Sequence, residues 1–290
     1  MDINHISVSR KKCYDLCQQQ YKYRYHLKLA SPKEEPFYFV YGTIVHKIAE
    51  LYVEGRGEIP IEEITQKITS GEIPIEEHGD QKTFCPNPIP EEYAKKLTKH
   101  VKAIKNLTDK IGTEGEVEHE FKFDLDPPNN KCVVGFIDRL IIKWERDEDG
   151  KIVKANKAFI IDYKTTKKGK FRVNAQTVTD DLQLKMYARV VQKEFGLAAE
   201  DIKAALFYLE GENLVGAQFS QDALDAVEEE LKKAFNRIET ADPDKVWGNV
   251  GWHCKNCDYS TICPFYKGDD QAQHKWDGSL DTAGLSGWGD

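Results

Sequence analysis

Two stretches decide the reading of this chain: CVVGFIDRLIIKW at 132–144 and AFIIDYK at 158–164. Both are apolar runs rich in β-branched and aromatic residues, which predicts buried strands. Asp138 interrupts the first. Asp162 and Lys164 close the second. Residues i and i+2 of a strand point to the same face, so Asp162 and Lys164 share a face with Ile160, while Phe159 and Ile161 face the other way. An acid inside an apolar run costs free energy unless it is paired or binds a cation. Two acids and a lysine on adjacent strands supply what phosphodiester hydrolysis needs. Carboxylates hold cations that polarise phosphate and activate water, and an ammonium steadies the water or the developing charge. Asp-x-Lys is a common tripeptide and, taken alone, reads as a strand-end salt bridge.

Working outward, Val117, Phe121 and Phe123 alternate with Glu118 and Glu120, which predicts a preceding strand. Asp126–Asn130 supplies the turn between the two strands. After residue 164 the pattern predicts a helix at about 179–195, strands at 202–210 and 214–219, and a long helix from the N-cap Ser220 to about 240. On the N-terminal side, residues 7–28 read as one helix rich in Tyr and basic residues. GTIVHKIAELYVE (42–54) has helical apolar spacing, 55–90 reads as a variable insertion, and 91–111 as a Lys-rich surface helix. This series predicts a mixed α/β domain with mostly helical chain ends. The boundaries expected are an N-terminal helical segment at 1–41 and a core at 42–240 with an insertion at about 55–111. A Cys-rich segment at 241–268 and a disordered acidic tail at 269–290 complete them.

Hydrophobic residues make up 40% of the 290 positions, enough for a core. No apolar run is long enough to span a membrane, and the N-terminus has no signal-peptide pattern, so a cytoplasmic protein is expected. The net charge of −8 argues against nucleic acid as a partner. Its distribution reverses that reading, because residues 1–33 hold seven Lys/Arg against two Asp. Tyr14, Tyr21, Tyr23 and Tyr25 lie among these basic groups, a composition that suits either single-strand stacking or internal packing. Lys167, Lys168, Lys170 and Arg172 form a second basic stretch, either a phosphate-contacting loop or a solvated turn. The acidic tail, with Trp276 and Trp288, is a candidate docking peptide for a protein partner. No P-loop occurs, so no ATPase of that type is fused here.

Gly135-Phe136-Ile137-Asp138 followed by Asp162-Tyr163-Lys164 resembles the PD-(D/E)XK nuclease superfamily, in its RecB-like branch. Gly42-Thr43-Ile44-Val45-His46 is similar to that branch's Gly-x-x-x-His motif, and Gln183-Leu184-Lys185-Met186-Tyr187 to its Gln-x-x-x-Tyr motif. The resemblance implies a restriction-endonuclease-like core, a mixed central sheet flanked by helices. His46, Asp138, Asp162 and the Tyr163 carbonyl would hold Mg²⁺ or Mn²⁺. Lys164 would orient the water, and Gln183 and Tyr187 would brace Lys164 and contact phosphate. Glu118 or Glu120 resembles a further acid of the family, and the sequence does not choose between them. Glu50, one turn after His46, is a surface acid or a support for the site.

Cys254, Cys257 and Cys263 form C-x2-C-x5-C, and three close thiols need a metal or reduced burial. Zinc and iron–sulfur clusters are both held by four cysteines, and His253 could serve a zinc ion instead. In the RecB-like branch the fourth cysteine lies near the N-terminus, which implies Cys17 here, with Cys13 as its rival. The split arrangement resembles the [4Fe–4S] nucleases of that branch, including AddB-type subunits and CRISPR-associated exonucleases. Such a cluster would clip the two helical chain ends together. The function expected is a metal-dependent DNA exonuclease acting on single-stranded DNA or DNA ends, in recombination, repair or phage-type DNA metabolism. A CRISPR-adaptation nuclease is an alternative context. A non-catalytic nucleic-acid-binding or adaptor protein that keeps the fold is the alternative class.

Overall fold

A computed structural model describes residues 1, 3–33, 36–78, 81–166 and 173–268. The basic stretch at 167–172 and the acidic tail at 269–290 lie outside the described residues. The chain opens with β1 (His5–Ile6), α1 (Val8–Leu16) and α2 (Gln18–Tyr21), followed by a π-helical turn at Lys22–His26. The single helix expected over 7–28 is thus broken at Cys17, whose backbone is extended at φ −161° while its N–H still reaches the Cys13 carbonyl at 2.9 Å.

Next come α3 (Phe37–Glu54) and α4 (Ile61–Thr69), then the small hairpin of β2 (Glu76–His78) and β3 (Gln81–Thr83), and α5 (Glu91–Ile111). Each of these three helices follows a proline, Pro36, Pro60 and Pro90. The Lys-rich helix at 91–111 is more than a surface helix. Leu97, Val101, Ile104 and Leu107 recur at helical spacing and are buried together, while the lysines occupy the rest of its circumference.

The sheet strands are β4 (Glu116–Asp126), β5 (Lys131–Arg146) and β6 (Ile152–Lys164), then β7 (Ile202–Tyr208) and β8 (Asn213–Ala217). α6 (Leu182–Phe195) joins β6 to β7, and α7 (Gln221–Thr240) follows β8. The order is β1-β5-β6-β7-β8, with β4 also on β5. β6 and β7 run parallel, whereas β5–β6 and β7–β8 are antiparallel. This is the expected mixed sheet of an α/β fold. β6 starts six residues before the apolar run does, because its exposed first half pairs with Lys143–Arg146 across a bulged register.

The chain divides into two units. Among the described residues, one is drawn from 36–121 and 135–228, the other from 1–33, 122–134 and 229–268. In the first, α3, α4 and α5 pack Ile44, Ile48, Ile64 and Ile104 with Ile161, Tyr163 and Phe207 of the sheet, and α6 packs against β6 and β7. In the second, the N-terminal ammonium donates to the Glu239 and Ala241 carbonyls at 2.7 and 2.9 Å. Among the described residues no helix is long and apolar enough to cross a membrane.

Candidate active site

The antiparallel ladder of β5 and β6 has Arg139 opposite Ile161 as its last registered pair before Asp138 and Asp162. Beyond it β6 stays on β7 as far as Lys164 opposite Tyr208. The strands therefore part where the two acids stand. The Tyr163 N–H, which has lost its strand partner on that side, donates to the Asp138 carboxylate at 2.7 Å. A buried backbone donor needs an acceptor, and here a side chain of the site provides it.

α3 brings His46 to this fork. Its Nδ1 lies 3.5 Å from Asp138 Oδ2 and 3.9 Å from Glu118 Oε1. One ligand atom from each of His46, Glu118 and Asp138 lies within 4.8 Å of the other two. Glu120 is exposed. The alternation of β4 puts Glu118 and Glu120 on one face, but Glu118 sits at φ +47°, a left-handed conformation inside a strand. That local break separates the two acids, and conformations of this kind are held against an energetic preference at functional sites.

Lys164 and Asp162 point together, with Nζ 2.5 Å from Oδ2. Lys164 also donates to Gln183 Oε1 at 3.2 Å, and Gln183 Nε2 donates to the Tyr187 hydroxyl oxygen at 2.6 Å. The cap of α6 fixes this chain, since Asp181 accepts from the Leu184 N–H at 2.9 Å. Tyr187 is backed by the Phe121 ring, edge to face at 6.0 Å. That ring explains Gly135, where a Cβ would come within 2.7 Å of Phe121. The Tyr163 side chain is buried in the core, edge to face with His46. Glu50 pairs with Lys47 at 2.7 Å.

The charges bias protonation strongly. Burial opposes the His46 imidazolium, but Asp138, Glu118 and Asp162 outweigh it and lift its pKa to about 9. Burial pushes the Asp138 carboxyl up, Asp162 adds to the rise and His46 opposes it. Burial likewise works against charge on Lys164, yet Asp162 and Asp138 overcome it, so the ammonium is retained. Burial, together with Asp162 and Asp138, keeps the Tyr187 phenol protonated.

Separation of the trio is what a cation would need. Ligands at 2.0–2.6 Å from a hard divalent ion lie roughly 3–4 Å apart when adjacent. The oxygen and nitrogen donors suit such an ion. Asp162 is engaged with Lys164 and is not one of the three.

In the other unit, Cys17, Cys254, Cys257 and Cys263 line one small cavity of about 20 Å³, with His253 in its wall. Cys13 is buried but does not line it, and burial, with Arg24 opposing, raises its thiol pKa to about 12. Burial also lifts Cys257 to about 11. Among the described residues no three cysteine sulfurs lie within 4.8 Å of one another. The two ends of the chain meet here through protein bonds as well: Gln19 N–H to the Trp247 carbonyl at 3.2 Å, Asn249 to the Leu16 carbonyl at 3.0 Å, and an ion pair of Arg24 with Asp258. The tyrosines that precede this cavity are largely spent on packing. Tyr21 is fully buried and Tyr14 nearly so, with Tyr21 edge-on to Tyr14 at 5.3 Å and against Tyr25 at 5.0 Å. Their faces are covered by protein, which removes Tyr14 and Tyr21 as platforms for bases.

A model of the PD-(D/E)XK nuclease superfamily matches residues 5–264. Among solved structures the chain is similar to a "Putative exonuclease" from Eubacterium rectale. The identity is 12%, the match covers 92% of this chain and 90% of that one, and the TM-score is 0.49. It is also similar to the protein named SSO0001, at 16% identity over 90% of this chain and 96% of that one, with a TM-score of 0.36. No curated protein matches the chain.

Proposed function

The chain belongs to the PD-(D/E)XK nuclease superfamily, and we propose that it is a divalent-metal-dependent deoxyribonuclease of the RecB-like branch. In this reading it shortens single-stranded DNA or DNA ends in recombination, repair or phage-type DNA metabolism. The observation that carries it is the fork: His46, Glu118 and Asp138 with ligand atoms within 4.8 Å of one another, beside a Lys164 paired with Asp162 at 2.5 Å. Mg²⁺ or Mn²⁺ held by His46, Asp138 and Glu118, with Asp162 and the Tyr163 carbonyl as further donors, would supply a polarised phosphate and an acidified water.

The protein's own contribution is positioning and charge. Lys164, kept protonated by its acids, donates toward the phosphoryl oxygen or the water. Gln183 and Tyr187 hold Lys164 in register, since Gln183 accepts from Lys164 and donates to Tyr187. Asp138 keeps the fork closed through the Tyr163 N–H.

The cysteine cavity is proposed to take a [4Fe–4S] cluster on Cys17, Cys254, Cys257 and Cys263. Four thiols around one cavity are the donor set that such a cluster uses. Sulfurs bound to one zinc at ~2.3 Å lie only about 3.8 Å apart, closer than any three cysteine sulfurs here lie to one another. The cluster's role would be structural.

End-labelled single- and double-stranded DNA incubated with the protein and Mg²⁺ or Mn²⁺ tests the activity. Stepwise shortening from an end, abolished by a chelator, is the expected result. Intact substrate under every metal condition would reject it.

A further inference from the structure

Phe136 is turned to solvent. It is 51% exposed, although β5 on either side of it carries the buried Val133 and Ile137. It lies two residues before Asp138, so both side chains leave the same face of the strand, about 6.6 Å apart along the backbone. The helix that supplies His46 has a second such ring. Phe39, 47% exposed, lies seven residues before His46 and therefore on the same helix face. Between them Gly42 opens to empty space, with nothing within 4 Å of where a Cβ would be.

An exposed aromatic face next to a cation-ready site matches one ligand feature: the face of a nucleobase whose phosphate sits among the acids. We propose that Phe136 is a base-stacking residue that takes the base adjoining the scissile phosphate of an unpaired strand. The proposal rests on the nuclease reading above. Stacking needs a free base face, which an intact duplex does not offer, so Phe136 favours single strands and frayed ends. Covering the ring with a base also removes apolar surface from water.

The test is binding of a fluorescent single-stranded oligonucleotide in Ca²⁺, with a set of oligonucleotides that carry one abasic position each. Phe136→Ala is expected to weaken binding of the intact strand by roughly five- to 150-fold, the range for one lost stack. Phe136→Trp is expected to restore it. One abasic position should weaken the wild type to a similar degree, and at that position Phe136→Ala should cost nothing further, because the partner is already gone. Binding of Phe136→Ala within about twofold of wild type would overturn the proposal, as would losses that simply add at every abasic position. Phe136 is exposed, so Phe136→Ala should keep the wild-type unfolding midpoint, and a lowered midpoint with Phe136→Trp also failing to bind would count against stacking. Cleavage of the same strand by the wild type in Mn²⁺ reads the nuclease assignment separately. No cleavage with intact coupling rejects that assignment alone, and cleavage without coupling rejects the stacking alone.

Discussion

The backbone N–H of Tyr163 donates to the side chain of Asp138 at 2.7 Å. One acid of the site thus takes over a hydrogen bond that the sheet gives up where β5 and β6 part. The site and the end of the ladder are the same structural event, and mutations there should report on both.

Asp138→Ala should leave the buried Tyr163 N–H without an acceptor, at a cost of about 1–3 kcal/mol. Asp138→Asn keeps a carbonyl oxygen for it. Both variants should lose cleavage, but urea unfolding should find the Ala variant less stable than the Asn variant. Equal stabilities would show that the Tyr163 bond contributes nothing.

Gly135→Ala should be destabilising by about 1–3 kcal/mol through overpacking, because its methyl would press on the Phe121 ring at 2.7 Å. Phe121 in turn backs Tyr187. Adding Phe121→Leu should make the two losses less than additive in a double-mutant cycle. Strict additivity would mean that this contact is not the reason for the glycine.

His100 is buried with its ring nitrogen 2.8 Å from the Tyr41 hydroxyl. Burial, with Glu210 opposing, lowers its pKa from 6.5 to about 4. The unfolded chain therefore binds a proton that the folded state refuses between those values. Stability from this group is present above pH 6.5 and is lost as pH falls through 6.5 towards 4. At pH ~4.5 the wild type should have lost about 2–3 kcal/mol more than His100→Gln, relative to neutral pH. Parallel pH profiles of the two proteins would contradict this.

Anaerobically purified wild type should be brown and hold about four iron atoms per chain. Cys17→Ser should lose iron, whereas Cys13→Ser should keep it, since Cys13 lies outside the lining of the cavity. A colourless protein with one zinc per chain would refute the cluster, and iron retained in Cys17→Ser would refute its ligand set.

Much of the frame was readable in advance, for physical reasons that can be named. The apolar runs around Asp138 and Asp162 marked central strands, and alternation put Asp162 and Lys164 on one face. A four-residue spacing put Gln183 and Tyr187 on one side of α6, where they bond at 2.6 Å. Other features have no sequence signal. The left-handed backbone of Glu118 breaks an alternation that the residues themselves obey. Cys17 interrupts what reads as one continuous helix, because no Gly or Pro marks the break. The burial of Tyr14 and Tyr21 depends on rings that meet only after that break. The exposed first half of β6 is a strand because β5 pairs with it.

The most direct test of the central claim is the Mn²⁺ dependence of single-strand cleavage by the wild type, Glu118→Gln, Asp138→Asn and Lys164→Ala. If the fork is a metal-dependent nuclease site, Glu118→Gln should need at least about tenfold more Mn²⁺ for half-maximal rate. Asp138→Asn should be inactive at any concentration. Lys164→Ala should bind Mn²⁺ but cleave at least about 10²-fold more slowly. Cleavage at wild-type rate and wild-type Mn²⁺ dependence in Asp138→Asn would contradict the account.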